Sequence, residues 1–371
     1  LLYELQHNQG TGHVFLPREK LLWAAAQLIG LPPDRVEMCL DTMVEQGAIR
    51  QEQVAGVLGC YTPELYEAEC FVASKLLSML RFPYGKVRGV DGVIEEMEMT
   101  QGIRYAPLQR EAVTLAAQSG VLLLTGGPGT GKTTATRAIV HLFEKMGLDI
   151  LLLAPTGRAA KRMGELCERE AQTIHRCLGM SYNDLTGRVT YKKGESDPLE
   201  AEAVLVDEMS MVDLPLMQAL LSALRPGCRL VMIGDADQLP SVGAGNVFSD
   251  LIRSQRIETI FLREVFRQAE QSAIIRNAHA VNLGQPPRMT NDQSDFFFLC
   301  RRDAERAVAT VVELCRTRLP EKMGVPADQI QVLTPTRRGG AGTIRLNQLL
   351  QAALNPKAPE TQEVLWGERL F

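Results

Sequence analysis

The glycine-rich segment Gly126–Thr133 is the feature that most constrains how this chain can fold. It reads Gly-Gly-Pro-Gly-Thr-Gly-Lys-Thr, which matches the spacing G-x-x-x-x-G-K-[ST]. An apolar run, Val121–Thr125, precedes it, and a helix is predicted to begin at its end. Glycines let successive backbone N–H groups turn toward phosphate oxygens, and a helix N-terminus favours negative charge. The segment therefore predicts a phosphate-binding loop between a strand and a helix of an α/β fold.

The side chains of this loop have the chemistry that a nucleoside triphosphate with Mg²⁺ requires. We expect Lys132 to reach the β- and γ-phosphates and Thr133 to ligate Mg²⁺, so ATP and Mg²⁺ are the predicted cofactors. The alternative is a glycine turn without function. The predicted nucleotide-binding residues of the loop are Gly127, Pro128, Gly129, Thr130, Gly131, Lys132, Thr133 and Thr134.

Polar side chains also follow two later apolar runs. Asp207 and Glu208 come directly after the run Ala203–Val206, and Gln238 follows the run Leu230–Ile233. Parallel strands of one sheet end at a common edge, so these residues should meet the phosphate loop there. Asp207 is expected to hold Mg²⁺ through water, Glu208 to polarise the attacking water, and Gln238 to hydrogen-bond the γ-phosphate or that water. Solvated surface acids and a plain turn are the alternatives.

From Val121 onward, short apolar runs alternate with helical segments, a pattern typical of parallel α/β units. Between the second and third runs, residues 180–193 predict a projecting β-hairpin. The predicted domains are an N-terminal helical domain at 1–100, a first α/β domain at 101–255 with the hairpin insertion at about 179–199, and a second domain at 256–371; resemblance to a known family, carried by motifs in this chain, further implies that the last two are RecA-like motor domains, the second of them incomplete. The predicted strands are Val121–Thr125, Ile150–Ala154, Ala203–Val206, Leu230–Ile233, Thr259–Leu262 and Gln331–Thr334.

Residues 1–100 are predicted to be mainly helical. Helices are expected over Arg18–Ile29, Asp34–Gln46 and Pro63–Leu80, from their proline and glycine boundaries. Short helices followed by Gly47–Arg50 favour a winged-helix-like bundle. The alternative is a packing or linker domain without DNA contact.

Composition narrows the possible functions. The net charge is −4, which argues against a broad basic face for duplex DNA, and residues 1–100 carry 8 basic and 14 acidic groups, so nucleic-acid contacts are expected after residue 100. The eight cysteines are scattered, which favours reduced core thiols and a cytoplasmic location over zinc or disulfides. No apolar run has the length of a membrane span. Because the chain starts at Leu1, we expect it to be a fragment.

Several motifs in this order resemble those of RecD-type helicases of superfamily 1. The resemblance covers residues 100–355, and it implies an ATP-dependent DNA helicase, stimulated by DNA, that moves 5′ to 3′ on single-stranded DNA and acts in repair or recombination. Single strands and their junctions with duplex are then the expected partners. Besides the glycine-rich loop, the motifs are Leu-Gln-Arg-Glu-Ala-Val at 108–113, Ala-Pro-Thr-Gly-Arg-Ala-Ala at 154–160, Thr-Ile-His-Arg at 173–176, Asp-Glu-Met-Ser-Met-Val-Asp at 207–213 and Gly-Asp-Ala-Asp-Gln-Leu-Pro-Ser-Val-Gly at 234–243.

The resemblance also implies roles for residues that no spacing singles out. Gln109 should recognise the adenine edge, and Arg267 should approach the γ-phosphate from the second motor domain. The hairpin would be the pin that separates duplex strands. The alternative for Gln109 is an ordinary exposed glutamine on a helix, and the alternative for Arg267 is a surface arginine. The hairpin could also be purely structural. The residues implied in the DNA track are Pro155, Thr156, Arg158, Thr173, His175, Asn246, Thr334 and Arg337.

Two other functions fit parts of the pattern. One is an ATP-dependent switch or clamp that binds DNA without translocating. The other is the helicase part of a conjugative relaxase, for which the five scattered histidines supply no nicking cluster. Further motifs of the superfamily do not occur before Phe371, so we expect the second motor domain to be incomplete in this chain.

Overall fold

The computed structural model describes residues 1–85, 87–183, 188–264, 272–291 and 295–356, and the backbone of 365–366 and 369–370. The chain divides into two compact units, residues 1–287 and 288–371. None of the helices described combines the length and the apolar character that crossing a bilayer requires.

The first 61 residues build a small helical layer on an antiparallel sheet. The sheet has three strands in the order β1-β3-β2, and the helices pack on it around Leu21, Leu40 and Ile49, each fully buried. Helices and a β-hairpin thus both occur in this layer, and the winged-helix-like assignment and the boundary at residue 100 stay predictions. The elements are α1 (Leu2–Gln9), β1 (Phe15–Pro17), α2 (Arg18–Ile29), α3 (Pro33–Glu45), β2 (Arg50–Val54) and β3 (Val57–Tyr61).

Helix α4 (Pro63–Arg81) joins this layer to the main sheet. Its buried residues Leu65, Ala68, Val72 and Leu76 recur at helical spacing and form one apolar cluster with the sheet residue Val121. The N-terminal residues therefore share a core with the α/β part of the first unit. Two further helices lead into the sheet, α5 (Val90–Gln101) and α6 (Pro107–Gln118).

The main sheet is parallel and has six strands in the order β11-β4-β10-β9-β5-β6. The predicted mixed α/β fold with a parallel sheet is thus confirmed. The predicted hairpin is also present, as β7 and β8. The elements are β4 (Val121–Gly126), α7 (Lys132–Lys145), β5 (Ile150–Ala154), α8 (Gly157–Cys167), β6 (Ala171–Thr173), α9 (Ile174–Cys177), β7 (Ser181–Asn183), β8 (Arg188–Thr190), β9 (Ala203–Val206), α10 (Leu214–Ser222), β10 (Arg229–Gly234), α11 (Val247–Ser254), β11 (Thr259–Leu262) and α12 (Ala273–Asn282).

Strand β4 runs through the middle of the core. Val121 and Leu123 belong to the apolar cluster on one face of the sheet, whereas Leu122 and Leu124 belong to the cluster on the other face. Successive strand residues point to opposite faces, so a strand covered on both sides must be apolar throughout. This burial fixes the position of the glycine-rich loop that follows β4.

The second unit is mainly helical. Its elements are α13 (Ala304–Glu313), a π-helical turn at Leu314–Arg318, α14 (Leu319–Met323), α15 (Thr343–Leu354) and the short strands β12 (Leu365–Trp366) and β13 (Arg369–Leu370). The predicted strand Gln331–Thr334 is wrong, because this segment is irregular. A strand needs a neighbour to satisfy its backbone, and residues 295–356 contain no strand that could pair with it. The assignment of this unit to a second RecA-like domain stays a prediction.

Candidate functional site

The glycine-rich loop connects the C-terminal end of β4 to the N-terminus of α7. Gly129 and Gly131 have φ angles of 77° and 82°, a region that glycine enters at little cost. A Cβ atom on Gly126 would stand 2.6 Å from both the Leu262 carbonyl oxygen and the Thr130 hydroxyl. The loop therefore depends on glycine both for its conformation and for its close packing against β11.

Lys132, the first residue of α7, folds back onto this loop. Its Nζ donates hydrogen bonds to the carbonyl oxygens of Gly126 and Gly127, the second at 3.0 Å. Thr130 Oγ1 donates to the same Gly127 oxygen at 2.8 Å. Burial lowers the pKa of the Lys132 ammonium, and the negative charge of Asp235 acts in the opposite direction. The ammonium thus occupies a confined position where an anionic ligand would stabilise its charge.

Asp207 and Glu208 face the same cavity as the glycine-rich loop. Strand β10 lies between β4 and β9, so both strands end at one edge of the sheet. A cavity of about 430 Å³ there is lined by Lys132, Thr133, Asp207, Glu208 and Gln238. The structure therefore brings together the five side chains that the sequence predicts around a magnesium triphosphate.

The electrostatics of the two carboxylates reflect this confinement. Burial raises the pKa of Asp207, while the backbone N–H of Glu208, which donates to Asp207 Oδ1 at 2.8 Å, and the charge of Lys132 lower it. Burial, followed by repulsion from Asp207, raises the pKa of Glu208. Glu208 has a φ angle of 54°, which is costly for a residue with a side chain and is often found at functional sites.

Gln238 lies on the loop after β10, at the mouth of this cavity. Its Nε2 donates a long hydrogen bond, 3.5 Å, to Asp235 Oδ2, and its side chain is exposed. Asp235 is 4% exposed and accepts a second bond, from the Asp237 backbone N–H at 3.1 Å. The amide of Gln238 is therefore held only weakly and remains available to a ligand.

Gln109 lies on α6 and supports the end of the glycine-rich loop. Its Oε1 accepts from the Ala106 backbone N–H at 2.9 Å, and its Nε2 donates to the Gly131 carbonyl at 3.1 Å. The side chain is 1% exposed. These bonds leave one amide proton and one oxygen lone pair for another partner. The adenine contact stays a prediction, and the structure adds a role in positioning the loop.

The oxygen atoms around the cavity suit Mg²⁺ bound together with phosphates. Thr133 contributes a hydroxyl and Asp207 a carboxylate, which are hard ligands of the kind that Mg²⁺ prefers. In the part of the chain that the structure describes, no group of three or more His, Cys, Asp or Glu side chains could hold a metal. Mg²⁺ that binds with a nucleotide is commonly held by one or two protein groups and completed by phosphate oxygens and water.

A second cavity, of about 740 Å³, lies near three residues of the predicted DNA track. Pro155, Thr156 and His175 line it, together with Met180 and Tyr191 at the base of the hairpin. The loop that follows Gln238 also lines it, through Pro240, Ser241, Val242 and Gly243. Val242 is 86% exposed, so an apolar side chain stands in solvent beside this cavity. Mixed apolar and hydroxyl surfaces of this kind suit stacked bases and sugar-phosphate groups.

The hydroxyls of two track residues already have structural partners. Thr156 Oγ1 accepts from the Ala159 N–H at 3.3 Å, and Thr173 Oγ1 accepts from the Arg176 N–H at 3.1 Å, so each caps a helix. Each hydroxyl keeps its own proton for donation to a phosphate. Thr173, exposed Arg158 and half-buried Asn246 are not among the residues that line the cavity.

The chain is similar in sequence to several known proteins. Residues 109–244 match the family model described as an AAA domain. The chain is 33% identical over 355 residues to the ATP-dependent RecD2 DNA helicase of Deinococcus radiodurans, covering 93% of this chain and 47% of that protein. It is also 31% identical over 295 residues to the RecBCD enzyme subunit RecD of Mycobacterium tuberculosis, covering 70% of the chain and 50% of that protein. The chain is a homologue of the RecD-type helicases of superfamily 1.

This RecD-type chain spans about half the length of these curated relatives. Among solved structures, the Pif1 helicase of Candida albicans aligns with it at 25% identity and a TM-score of 0.37, over 50% of this chain and 46% of that one.

Arg267, Thr334 and Arg337 are the remaining residues with predicted roles. Arg267 falls outside the described residues. In the second unit, Thr334 Oγ1 donates to the Ala341 carbonyl at 2.7 Å, which closes a loop before α15. Arg337 is exposed in the same loop, and its carbonyl accepts from the Ile344 N–H at 3.3 Å. Their DNA contacts stay predictions.

Sequence reasoning missed one charged residue of the cavity beside the glycine-rich loop. Arg162, on α8, lines it together with Asp207 and Glu208, and its positive charge partly offsets the rise that burial causes in the pKa of both carboxyls. Arg162 lies one helical turn after Arg158, on the helix that follows β5. In the sequence, its spacing of four residues from Arg158 places both arginines on one face of a helix. The direction in which that face points depends on the packing of α8 beside the glycine-rich loop.

Proposed function

We propose that the chain is the ATP-dependent motor portion of a DNA helicase that moves 5′ to 3′ on single-stranded DNA, in the cytoplasm, in repair or recombination. The observation that supports this most strongly is the shared cavity of Lys132, Thr133, Asp207, Glu208 and Gln238. Single-stranded DNA and its junctions with duplex are the proposed partners, and ATP with Mg²⁺ the proposed cofactors.

The chemistry assigned to each side chain follows from its place in the cavity. Lys132 exchanges its carbonyl partners for the β- and γ-phosphates, because a phosphate offsets its charge better than a neutral oxygen does. Thr133 and Asp207 would hold Mg²⁺, which would draw charge from the phosphates, and Glu208 would orient the attacking water. Arg267 is proposed to offset charge on the γ-phosphate in the transition state, an effect worth about 10³ to 10⁵ in rate in related enzymes.

One continuous loop supports the coupling of hydrolysis to DNA movement. Gln238 lines the nucleotide cavity, and Pro240 to Gly243 line the track cavity. Only a few residues separate Gln238 from the part of the loop that lines the track cavity. A movement of Gln238 when the γ-phosphate is lost would therefore change the contacts with DNA directly. Such a connection is what a translocating motor requires, since each hydrolysis event must alter DNA contacts.

The test is DNA-stimulated ATP hydrolysis and nucleotide binding by Lys132→Ala, with Lys145→Ala as the matched control on the same helix. The Lys145 ammonium pairs with Glu96 on the protein surface at 2.8 Å, away from the cavity. Binding of MgATPγS should be lost in the first variant and unchanged in the second. Equal behaviour of the two variants would refute the assignment.

A DNA-binding switch that uses ATP without moving is separated from a motor by tailed duplexes. The full-length protein is given equal duplexes with a 5′ or a 3′ single-stranded tail, with ATP or with ATPγS. Strand separation that needs ATP hydrolysis and the 5′ tail supports the motor. Nucleotide-dependent binding without strand separation supports the switch instead.

A further inference from the structure

His279, on α12, packs against the beginning of the glycine-rich loop. A Cβ atom placed on Gly127 would stand 3.2 Å from the imidazole Cε1 and 3.9 Å from Nε2. His279 also lines a separate cavity of about 680 Å³, together with Thr125, Gln238 and Arg263. The imidazole therefore lies beside the loop residues that hold Lys132, although no sequence motif includes it.

The Nε2 atom of His279 is buried and has no hydrogen-bond partner among the described residues. Buried polar atoms are nearly always paired, so an unpaired one calls for a partner, such as a water molecule, an ion or a group that approaches in another state of the protein. The ring lies against Gly127, whose carbonyl oxygen already accepts from Lys132 Nζ at 3.0 Å and from Thr130 Oγ1 at 2.8 Å.

Phosphate binding would change this arrangement. The Lys132 ammonium has three N–H donors, and phosphate oxygens that draw on them leave fewer for the carbonyls of Gly126 and Gly127. The Gly127 carbonyl then keeps the neutral Thr130 hydroxyl as a donor, and its second lone pair is open to another donor. His279 is close to Gly127 and, when protonated on Nε2, offers a donor that is otherwise unused.

We propose that His279 replaces Lys132 as a hydrogen-bond donor to the Gly127 carbonyl when phosphates draw Lys132 away. His279 is thus a positioning residue, which favours the loaded conformation of the loop without touching the nucleotide. The inference rests on the proposed function, because it requires Lys132 to bind phosphate.

The test compares His279→Ala, His279→Gln and Ile274→Ala, each in the whole chain. Glutamine keeps an N–H donor near the position of Nε2, and Ile274 is an exposed residue of the same helix, 53% exposed. Affinity for MgADP and for MgATPγS is measured by calorimetry, and folding is checked by thermal unfolding. One lost hydrogen bond should weaken the affinity of His279→Ala about 3- to 10-fold, with recovery in His279→Gln and no change in Ile274→Ala.

A spectroscopic readout separates positioning from a purely structural role. In protein labelled with ¹⁵N-histidine, the Nε2 signal of His279, assigned by its absence from His279→Gln, should shift to a hydrogen-bonded position when MgADP is added. An unshifted signal, or an alanine variant that binds as tightly as wild type, overturns the inference while leaving the proposed function intact. Failure of the wild-type chain to bind either nucleotide would overturn both.

Discussion

The backbone N–H of Gly245 donates to the carbonyl oxygen of Gly12 at 3.0 Å, which ties the N-terminal layer to the loop that follows Gln238. The contact is close on both sides, since a Cβ on Gly245 would stand 2.9 Å from Leu214 Cβ and 3.3 Å from Val14 Cγ2. The loop that lines the track cavity is therefore braced by residues that precede the α/β sheet.

The first prediction concerns this contact. Gly245→Ala should lower stability by about 2 to 4 kcal/mol, because the residue has a φ of 100° and its new methyl group would be crowded. Gly147→Ala is the matched control, since Gly147 has a φ of 72° but nothing within 4 Å of the added Cβ. It should lose only the backbone part, about 1 to 2 kcal/mol. The measurement is urea unfolding, and equal losses would contradict the packing.

Arg162 supplies a second prediction. Arg162 lines the proposed nucleotide cavity, where its charge would offset that of bound phosphates, so Arg162→Ala should weaken MgATPγS binding about 3- to 10-fold. Lys161→Ala is the control, because the adjacent Lys161 is 79% exposed and pairs with Glu165 at 3.8 Å. Calorimetry at two salt concentrations should show a smaller salt dependence in Arg162→Ala. An effect of the same size in both variants would place Arg162 outside the site.

The buried strands are the part of the fold that the sequence predicted best. The strands Ile150–Ala154 and Ala203–Val206 were predicted to the residue, because strands covered on both faces form unbroken apolar runs. The edge strand Thr259–Leu262 was also predicted to the residue, although Phe261 is exposed. The three-residue strands β1 and β6 were not predicted, since they are too short to show a pattern. The predicted strand Gln331–Thr334 failed because local composition cannot reveal whether a partner strand is present.

The sequence likewise predicted some residues of the candidate site and not others. Lys132, Asp207 and Gln238 were found because each follows a strand at a fixed place, so chain order predicts spatial convergence. Arg162 and His279 lie within helices, and their contacts with the site depend on how α8 and α12 pack. That packing is a tertiary property, which neither spacing nor residue type specifies.

The rate at which the Cys167 thiol is alkylated should depend on pH. Burial raises the pKa of its thiol to about 11, which disfavours the thiolate that reacts with alkylating agents. Its alkylation should therefore be slow at pH 8 and rise about tenfold per pH unit up to about pH 11. Exposed Cys39 should react first, and MgATPγS should slow Cys167 further because it lines the nucleotide cavity. Mass spectrometry of iodoacetamide-treated protein measures both, and equal rates at pH 8 would contradict the burial.

The hairpin of β7 and β8 gives the last prediction. Tyr182 pairs with Val189 across its two strands and is 58% exposed, so an aromatic ring stands in solvent on a hairpin whose base lines the track cavity. If the hairpin separates duplex strands, this ring supports the first base pair by stacking, worth about 1 to 3 kcal/mol per base. Its loss should therefore affect unwinding and spare hydrolysis.

Tyr182→Ala in the full-length protein should unwind a 5′-tailed duplex several-fold more slowly, while hydrolysis stimulated by single-stranded DNA stays at the wild-type rate. Ser181→Ala is the control on the same strand, where only an exposed hydroxyl contact with Thr190, 2.9 Å long, is lost. Both activities should be unchanged in it. A parallel fall of unwinding and hydrolysis in Tyr182→Ala would show that the hairpin acts on the motor itself, because a wedge that only meets duplex has no reason to alter turnover on single strands.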